Sequence, residues 1–444
     1  MYKNLFGTDG IRGYASDEIF NHASLNFLAK AIINNKKSFK VLIGIDTRIS
    51  SKIIEKKLVD NLKNNGAYIY LTGILPTPAV SYLTKKFNCN LGIVISASHN
   101  PYKYNGIKFF NKNGEKLLKH QEKAIEKKFF KFKKEGKFVK KKSERKIKKI
   151  KNSYTIYIKK IISILKKKKL SNKLKVVVDC ANGSTYKISK YVFSNLKVKC
   201  FFIKNKPNGR NINYKCGSLY PNVLSEEVKK RSADFGISFD GDGDRVICCD
   251  EQGKIIDGDK IIACLAKYFV NTKSLKINSV IGTLMSNRGL ELYIKSIGLK
   301  FYRAKVGDKF VYELIKKKKC LLGGEQSGHI ILKNYGPSGD GLFIGLYLIK
   351  IILDYGEKAS KLFNLYNSHF QIQKNIIFKD SNYKKNIKIR ALSKSYNNKI
   401  VNNSRVLVRK SGTEPMIRLL VEGKKINEIK LLSQKIEKEI KKSI

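Results

Sequence analysis

Tryptophan is absent from this chain, methionine occurs three times and proline seven times in 444 residues. No apolar run approaches the ~18 residues that a membrane-spanning helix needs. The longest, GLFIGLYLIKIIL from Gly341, carries Lys350 and suits a buried helix. The amino terminus, MYKNLFGTDGIRG, has no apolar signal region, so nothing in it points to export. The eight cysteines form no CxxC pair. They read as small buried hydrophobes in a reducing compartment, and a cytoplasmic location is expected.

Acidic residues are also scarce, 35 against 91 Lys and Arg, for a formal net charge of +56. Such a charge raises nucleic-acid binding as a function. However, only twelve of the basic residues are arginine, and the lysines are spread along the whole chain. There is neither an aromatic-basic ribonucleoprotein motif nor a finger pattern. Together with the abundance of Ile, Asn, Tyr and Phe, the lysine excess reads as compositional drift. Its field still attracts anionic substrates. No specific nucleic acid and no membrane are expected as partners; a basic nucleic-acid-binding protein is the rival from another class.

The length calls for more than one domain. Strand-like runs alternate with helical stretches, which predicts α/β architecture. The strand candidates are KVLIGID (40–46), LGIVISA (91–97), KVVVDCA (175–181), DFGISFD (234–240) and SVIGTLM (279–285). Residues 116–169 read as exposed, lysine-coated connecting structure, with an amphipathic helix at SYTIYIKKIISILKKKK opening a second unit. With further breaks near 253–257 and 366–375, the expected segments are 1–152, 153–252, 253–366 and 367–444.

Four stretches carry chemistry. LGIVISASHNP (91–101) ends an apolar strand in Ser96, Ser98 and His99 before an Asn-Pro turn. Ordinary turn composition explains it when it is taken alone. FDGDGDR (239–245) alternates Asp240, Asp242 and Asp244 with glycines that let the carboxylates converge. Three such charges need a hard cation. An EF-hand is excluded, because Arg245 stands where its turn requires glycine and the flanks are strand-like. Magnesium suits the loop better than calcium if few protein ligands share the ion with a phosphate.

LLGGEQSGHI (321–330) has P-loop glycine spacing, but His329 and Ile330 replace the Lys and Ser/Thr that grip phosphate and metal. Its Glu325, Ser327 and His329 suit sugar hydroxyls instead. RKSGTEPMIR (409–418) offers Arg409, Ser411, Thr413 and Arg418 around Gly412, a phosphate cradle. GTDGIRG and GIDTR add Arg12 and Arg48. Ser98 lacks the GxSxG elbow of hydrolases. Taken together, the four stretches point to phosphoryl transfer through a phosphoserine.

These motifs, in this order, resemble the α-D-phosphohexomutase family; FGTDGIRG, NGIKFF, VVDCANG and RAKVGDKFV extend the match over nearly the whole chain. GEQSGH with RAKVGD points to the glucosamine branch over the phosphomannomutase/phosphoglucomutase branch. The resemblance implies three related α/β domains with mixed sheets, plus a smaller, distinct C-terminal α+β domain, with the active site in the central cleft. It implies that Ser98 carries the phosphate and, through it, joins Asp240, Asp242 and Asp244 on one Mg2+. Arg12, His99, Lys108 and His329 would surround the transferring group, Lys108 and His329 being the candidate general bases. Arg245, Glu325, Ser327 and His329 would hold the sugar, while Arg409, Ser411, Gly412, Thr413 and Arg418 would hold the non-reacting phosphate. A hexose 1,6-bisphosphate is the implied intermediate and activator, amino-sugar nucleotide and cell-wall precursor synthesis the implied destination, and a homodimer an allowed assembly. Ile45, Lys309, and Lys103 with Tyr104 depart from the family's usual residues.

Overall fold

The computed structural model describes residues 4–7, 9–34, 38–136, 147–163, 174–194, 198–377, 391–392, 394–401, 403–410 and 416–442. Four sheets follow one another along the chain. The first contains β1 (Ile11–Tyr14), β2 (Lys40–Ile45), β3 (Tyr68–Ile74), β4 (Leu91–Ile95), β5 (Tyr104–Asn111) and β6 (Ile147–Lys149), in the order β1-β5-β4-β2-β3-β6. The second contains β7 (Lys175–Asp179), β8 (Lys199–Ile203), β9 (Phe235–Phe239), β10 (Val246–Asp250) and β11 (Ile255–Ile256), in the order β11-β10-β9-β7-β8. The third orders β12 (Ser279–Thr283), β13 (Lys300–Ala304), β14 (Leu322–Gly324) and β15 (Ile330–Leu332) as β13-β12-β14-β15.

The central strands of these sheets are parallel, and in each the last of them turns back into an antiparallel neighbour: β4 into β5, β9 into β10, β14 into β15. Parallel strands covered on both faces carry unbroken apolar runs, as LGIVI and FGISF do with every residue buried. Because the turnback leaves from the carboxyl end of a buried strand, its loop faces outward from the sheet, where ligands of open α/β sheets sit. The Ser98, Asp240–Asp244 and Glu325–His329 stretches are these three loops.

One continuous apolar core joins the first three sheets, from Leu42 and Val94 through Val178 and Ile237 to Ile349. The helix Gly341–Tyr355 runs through it, capped by Asp340, whose carboxylate accepts from Phe343 N–H, and closed by Gly356 in the left-handed conformation. The fourth sheet is wholly antiparallel: β16 (Phe370–Ile377), β17 (Asn397–Val401), β18 (Ser404–Lys410) and β19 (Met416–Gly423), in the order β16-β19-β18-β17. It has its own small core against the helix Ile426–Lys442. Its junction with the third unit is polar: buried Arg405 donates to Glu422 Oε2 at 2.6 Å and to Leu284 O at 2.8 Å.

One sequence expectation changes. Residues 119–135 form a helix where connecting structure was expected. Ile125, Phe129 and Phe132 pack it on the first unit, and its lysines stay in water. The expected amphipathic helix does form, over Ser153–Ile162, and it sits between the helices Thr77–Lys86 and Thr185–Ser194. All eight cysteines are unpaired thiols, seven of them buried, and burial raises the pKa of each. No described helix is long and apolar enough to cross a membrane.

Candidate active site

Ser98 stands three residues past the end of buried β4 and has φ +51°, a left-handed conformation that a side chain enters at a cost of about 1–2 kcal/mol. What holds it there is Arg48, which is fully buried. Its guanidinium donates to Ser98 O at 3.1 Å and Asn100 O at 2.5 Å and is ion-paired with Asp46. Asn213, from the second unit, donates to Ser98 O at 2.9 Å and Asn100 O at 3.1 Å. Thus aimed, Ser98 Oγ donates to Asp240 Oδ2 at 2.6 Å.

The aspartate loop depends on its glycines. A Cβ on Gly241 would come within 2.7 Å of Ser98 O, and Gly243 has φ +71°. Asp240, Asp242 and Asp244 are buried and present oxygens within 4.8 Å of one another. Lys108 on β5 enters from the first unit, 2.7 Å from Asp242 and 2.8 Å from Asp244. Thr77 Oγ1 donates to Asp242 Oδ2 at 2.5 Å. Burial, then repulsion from Asp244 and Asp242, raises the Asp240 carboxyl well above the usual range. Burial also opposes the charge on Asp244, but the Lys108 and His329 cations outweigh it and hold that carboxyl well below.

His329 comes from the third unit and lies deep, 3.0 Å from Asp308 and 3.6 Å from Asp244. Burial alone would make it neutral; the two carboxylates prevail and push its pKa up to about 10. Its Nε2 is equally 3.0 Å from the Gly339 N–H, but an imidazolium has only protons to give there, so the Asp308 carboxylate is its partner. Lys108 likewise stays an ammonium: burial disfavours its charge, yet Asp242, Asp244 and Asp9 raise its pKa well above the ordinary value. Lys116 completes the chain of charges between Asp9 and Asp308, at 2.5 Å from each.

Arg12 pairs with Asp9 at 2.7 Å, and His99 Nδ1 lies 3.5 Å from Ser98 Oγ. Burial, Arg245 and Arg12 lower the His99 pKa to about 4, so it is neutral at pH 7. The Arg245 N–H donates to Asp240 Oδ1 at 3.1 Å. Glu325 is buried and accepts from Gly307 N–H at 2.9 Å; Ser327 is exposed in the same loop. Arg409 and Arg418 face each other across β18 and β19, where burial and then Arg418 lower the Arg409 pKa. Ser411, Gly412 and Thr413 lie outside the described residues. Lys309 forms an ion pair with Glu122 at 2.7 Å, joining the third unit to the first.

Sequence reasoning missed Thr77, Asn213, Lys116, Asp9 and Asp308 as members of this cluster. Asp9 and Asp308 stand inside stretches already singled out, FGTDGIRG and RAKVGDKFV. Lys116 and Asn213 carried no signal in a chain this rich in lysine and asparagine. A serine hydroxyl against a carboxylate triad, ringed by fixed cations, is equipped to pass a phosphoryl group.

Four models of the phosphoglucomutase/phosphomannomutase family match the chain: alpha/beta/alpha domain I over residues 3–152, domain II over 152–253, domain III over 257–369, and the C-terminal domain over 375–439. The chain belongs to this family. It is 40% identical to a phosphoglucosamine mutase of Campylobacter curvus, over 98% of each chain. It also resembles the crystal structure of a phosphoglucomutase/phosphomannomutase family protein from Burkholderia thailandensis, at 22% identity and TM-score 0.83, covering 99% of this chain and 97% of that one. A third relative in fold is N-acetylphosphoglucosamine mutase from Aspergillus fumigatus, crystallised with GlcNAc-6P and magnesium, at 17% identity and TM-score 0.66, covering 99% and 96%. On its sequence similarity the chain is an isomerase of the phosphoglucosamine mutase kind.

Proposed function

We propose that the phosphoryl group is carried by Ser98 as the enzyme interconverts glucosamine 6-phosphate and glucosamine 1-phosphate. The observation that carries this reading is the 2.6 Å approach of Ser98 Oγ to the aspartate triad. Phospho-Ser98 gives its phosphoryl group to the 1-hydroxyl of glucosamine 6-phosphate: the O1–P bond forms as the Oγ–P bond breaks, the hydroxyl proton ends on Ser98 Oγ, and the 1,6-bisphosphate results. After the bisphosphate turns end for end, its 6-phosphoryl group returns to Ser98 and glucosamine 1-phosphate leaves. On the return, Asp240 is the carboxylate within reach of the serine proton. Lys108, His329 and Arg12 offset charge on the transferring oxygens. Their standing as cations favours that role over a general base. Positioning supplies most of the catalysis in such transfers, which lessens the demand for a strong base.

The triad fits a divalent cation, since Asp242 Oδ1 and Asp244 Oδ1 are buried without a hydrogen-bond partner. Asp240, Asp242 and Asp244 would hold Mg2+ together with the Ser98 phosphate; its chemistry there is to polarise phosphoryl oxygens and offset their charge. Glu325, Ser327 and Arg245 are assigned to the sugar, and Arg409 and Arg418, with Ser411, Gly412 and Thr413, to the distal phosphate. A hexose 1,6-bisphosphate would serve as activator, and the product would feed amino-sugar nucleotide and cell-wall precursor synthesis in the cytoplasm.

The deciding experiment is phosphorus NMR with magnesium and a trace of hexose 1,6-bisphosphate, in parallel tubes of glucosamine, glucose and mannose 6-phosphate. The 1-phosphate should form fastest in the glucosamine tube. Faster conversion of another sugar would overturn the substrate and keep the mechanism; no isomerisation in any tube would overturn both.

A further inference from the structure

A cavity of about 660 Å³ opens where the first three units meet, and none of the residues assigned above to Ser98, metal, sugar or phosphate lines it. Lys85 and Lys86 end the helix Thr77–Lys86 at its wall, Lys160 enters from the helix Ser153–Ile162, and Lys333 follows β15. Two of its carboxylates already have partners. Asp340 accepts from the Tyr157 hydroxyl at 2.6 Å and Phe343 N–H at 3.0 Å, and Glu115 accepts from Tyr312 at 2.9 Å and Lys316 at 3.3 Å. Among the described residues, none of the four lysines has a carboxylate within 4 Å. Lys160 Nζ instead lies 4.5 Å over the Tyr82 ring. Burial, with repulsion from Lys85, lowers its pKa against the pull of Asp340.

Four lysines line one concave space, Lys160 and Lys333 half-buried and Lys85 and Lys86 more exposed. With no carboxylate within 4 Å of any of them among the described residues, they leave a positive potential that an incoming anion would relieve. The lining is also aromatic, with the Tyr335 and Phe343 rings 4.5 Å apart. We infer that this cavity is a second ligand site, taking a compound of the nucleoside diphosphate class, its phosphates on Lys160 and Lys333 and its ring against Tyr335. The floor of the cavity reaches the reacting centre, because Ser338 and Asp340 line it on either side of Gly339, which touches His329. The inference does not rest on the mutase reading.

The test is calorimetric titration of the full chain, without added metal, with ADP and separately with pyrophosphate. It is run at about 0.15 M salt to screen loose surface binding, and under saturating hexose 1,6-bisphosphate to occupy the phosphate sites assigned above. One ADP should bind per chain, more tightly than pyrophosphate. Lys160→Met and Lys333→Gln should each weaken it about tenfold, the loss expected for one charged hydrogen bond. The control Lys52→Gln/Lys56→Gln, on an exposed helix face, should leave it unchanged. ADP affinity untouched by both cavity variants would overturn the site, as would equal losses in the control; pyrophosphate binding as tightly as ADP would overturn the class. Lys333 is only half-buried, so its variant reports even if Lys160→Met unfolds the chain.

Discussion

Ser98 Oγ donates to Asp240 Oδ2 at 2.6 Å, joining the turnback loops of two different sheets. The serine reaches that carboxylate from a left-handed backbone, φ +51°, held by Arg48 and Asn213. The fold thus spends conformational strain to aim one hydroxyl. Ser98→Ala should abolish turnover while the protein stays folded. Ser98→Gly should be equally inactive yet more stable than the alanine variant by about 1 kcal/mol, because glycine adopts φ > 0 freely. Urea unfolding of the two variants decides; an alanine variant as stable as the glycine one would sink the strain argument.

The aspartate loop makes its own prediction. Asp242→Asn keeps the shape but removes a charge from the set proposed to hold the cation. Activity should fall at least about a hundredfold, and half-saturation by Mg2+ should move to higher concentration. A magnesium titration identical to that of the unmodified enzyme would remove Asp242 from the metal.

Lys108 substitutes for part of that positive charge in the metal-free protein, lying 2.7, 2.8 and 3.1 Å from Asp242, Asp244 and Asp9. Lys108→Met would leave buried carboxylates facing one another, a loss on the order of 3–5 kcal/mol. Magnesium should restore more stability to this variant than it adds to the parent chain. Thermal unfolding with and without the ion checks this; an equal increment in both proteins would mean that Lys108 does not neutralise the carboxylates proposed to bind the ion.

Much of this site was legible in the residues. FDGDGDR stood out because glycines between alternate aspartates let the carboxylates converge, and the structure does bring all three together in a buried cluster. The buried strands announced themselves as unbroken apolar runs. What stayed hidden depends on packing between distant segments. Thr77 meets Asp242 only because a helix start in the first unit abuts a loop in the second, and 165 residues separate them in sequence. The helix over 119–135 was obscured differently: its Ile125, Phe129 and Phe132 keep helical spacing, but lysines fill the positions between and mimic a solvated linker. His329 looked like a sugar reader until its depth between Asp308 and Asp244 showed a buried cation.

That cation makes stability depend on pH. His329 titrates near 6.5 when unfolded and at about 10 when folded. A raised folded value gives stability that is complete below pH ~6.5 and drains away as pH rises towards 10. Metal-free protein should therefore exceed His329→Gln in stability most at pH 6, with the gap narrowing steadily to pH 10. Denaturant midpoints at pH 6, 8 and 10 give the answer; a gap that widens with pH would place the neutral imidazole in the folded state.

Arg405 makes the last case, at the junction of the fourth unit. It donates to Glu422 and to Leu284 O, and Glu422 in turn accepts from the Arg288 N–H at 2.5 Å and Gln371 at 3.2 Å. Arg405→Leu removes one partner of a fully buried pair and leaves a carboxylate exposed to its own desolvation, at about 3–5 kcal/mol. Adding Glu422→Gln should recover part of that loss, so the double variant should be more stable than the arginine variant alone. The same two strands, β18 and β19, carry Arg409 and Arg418. If those arginines hold the distal phosphate, loosening their platform should raise KM more than it lowers kcat. A kcat loss at constant KM, with stability unchanged, would show that the junction neither anchors the fourth unit nor positions its arginines.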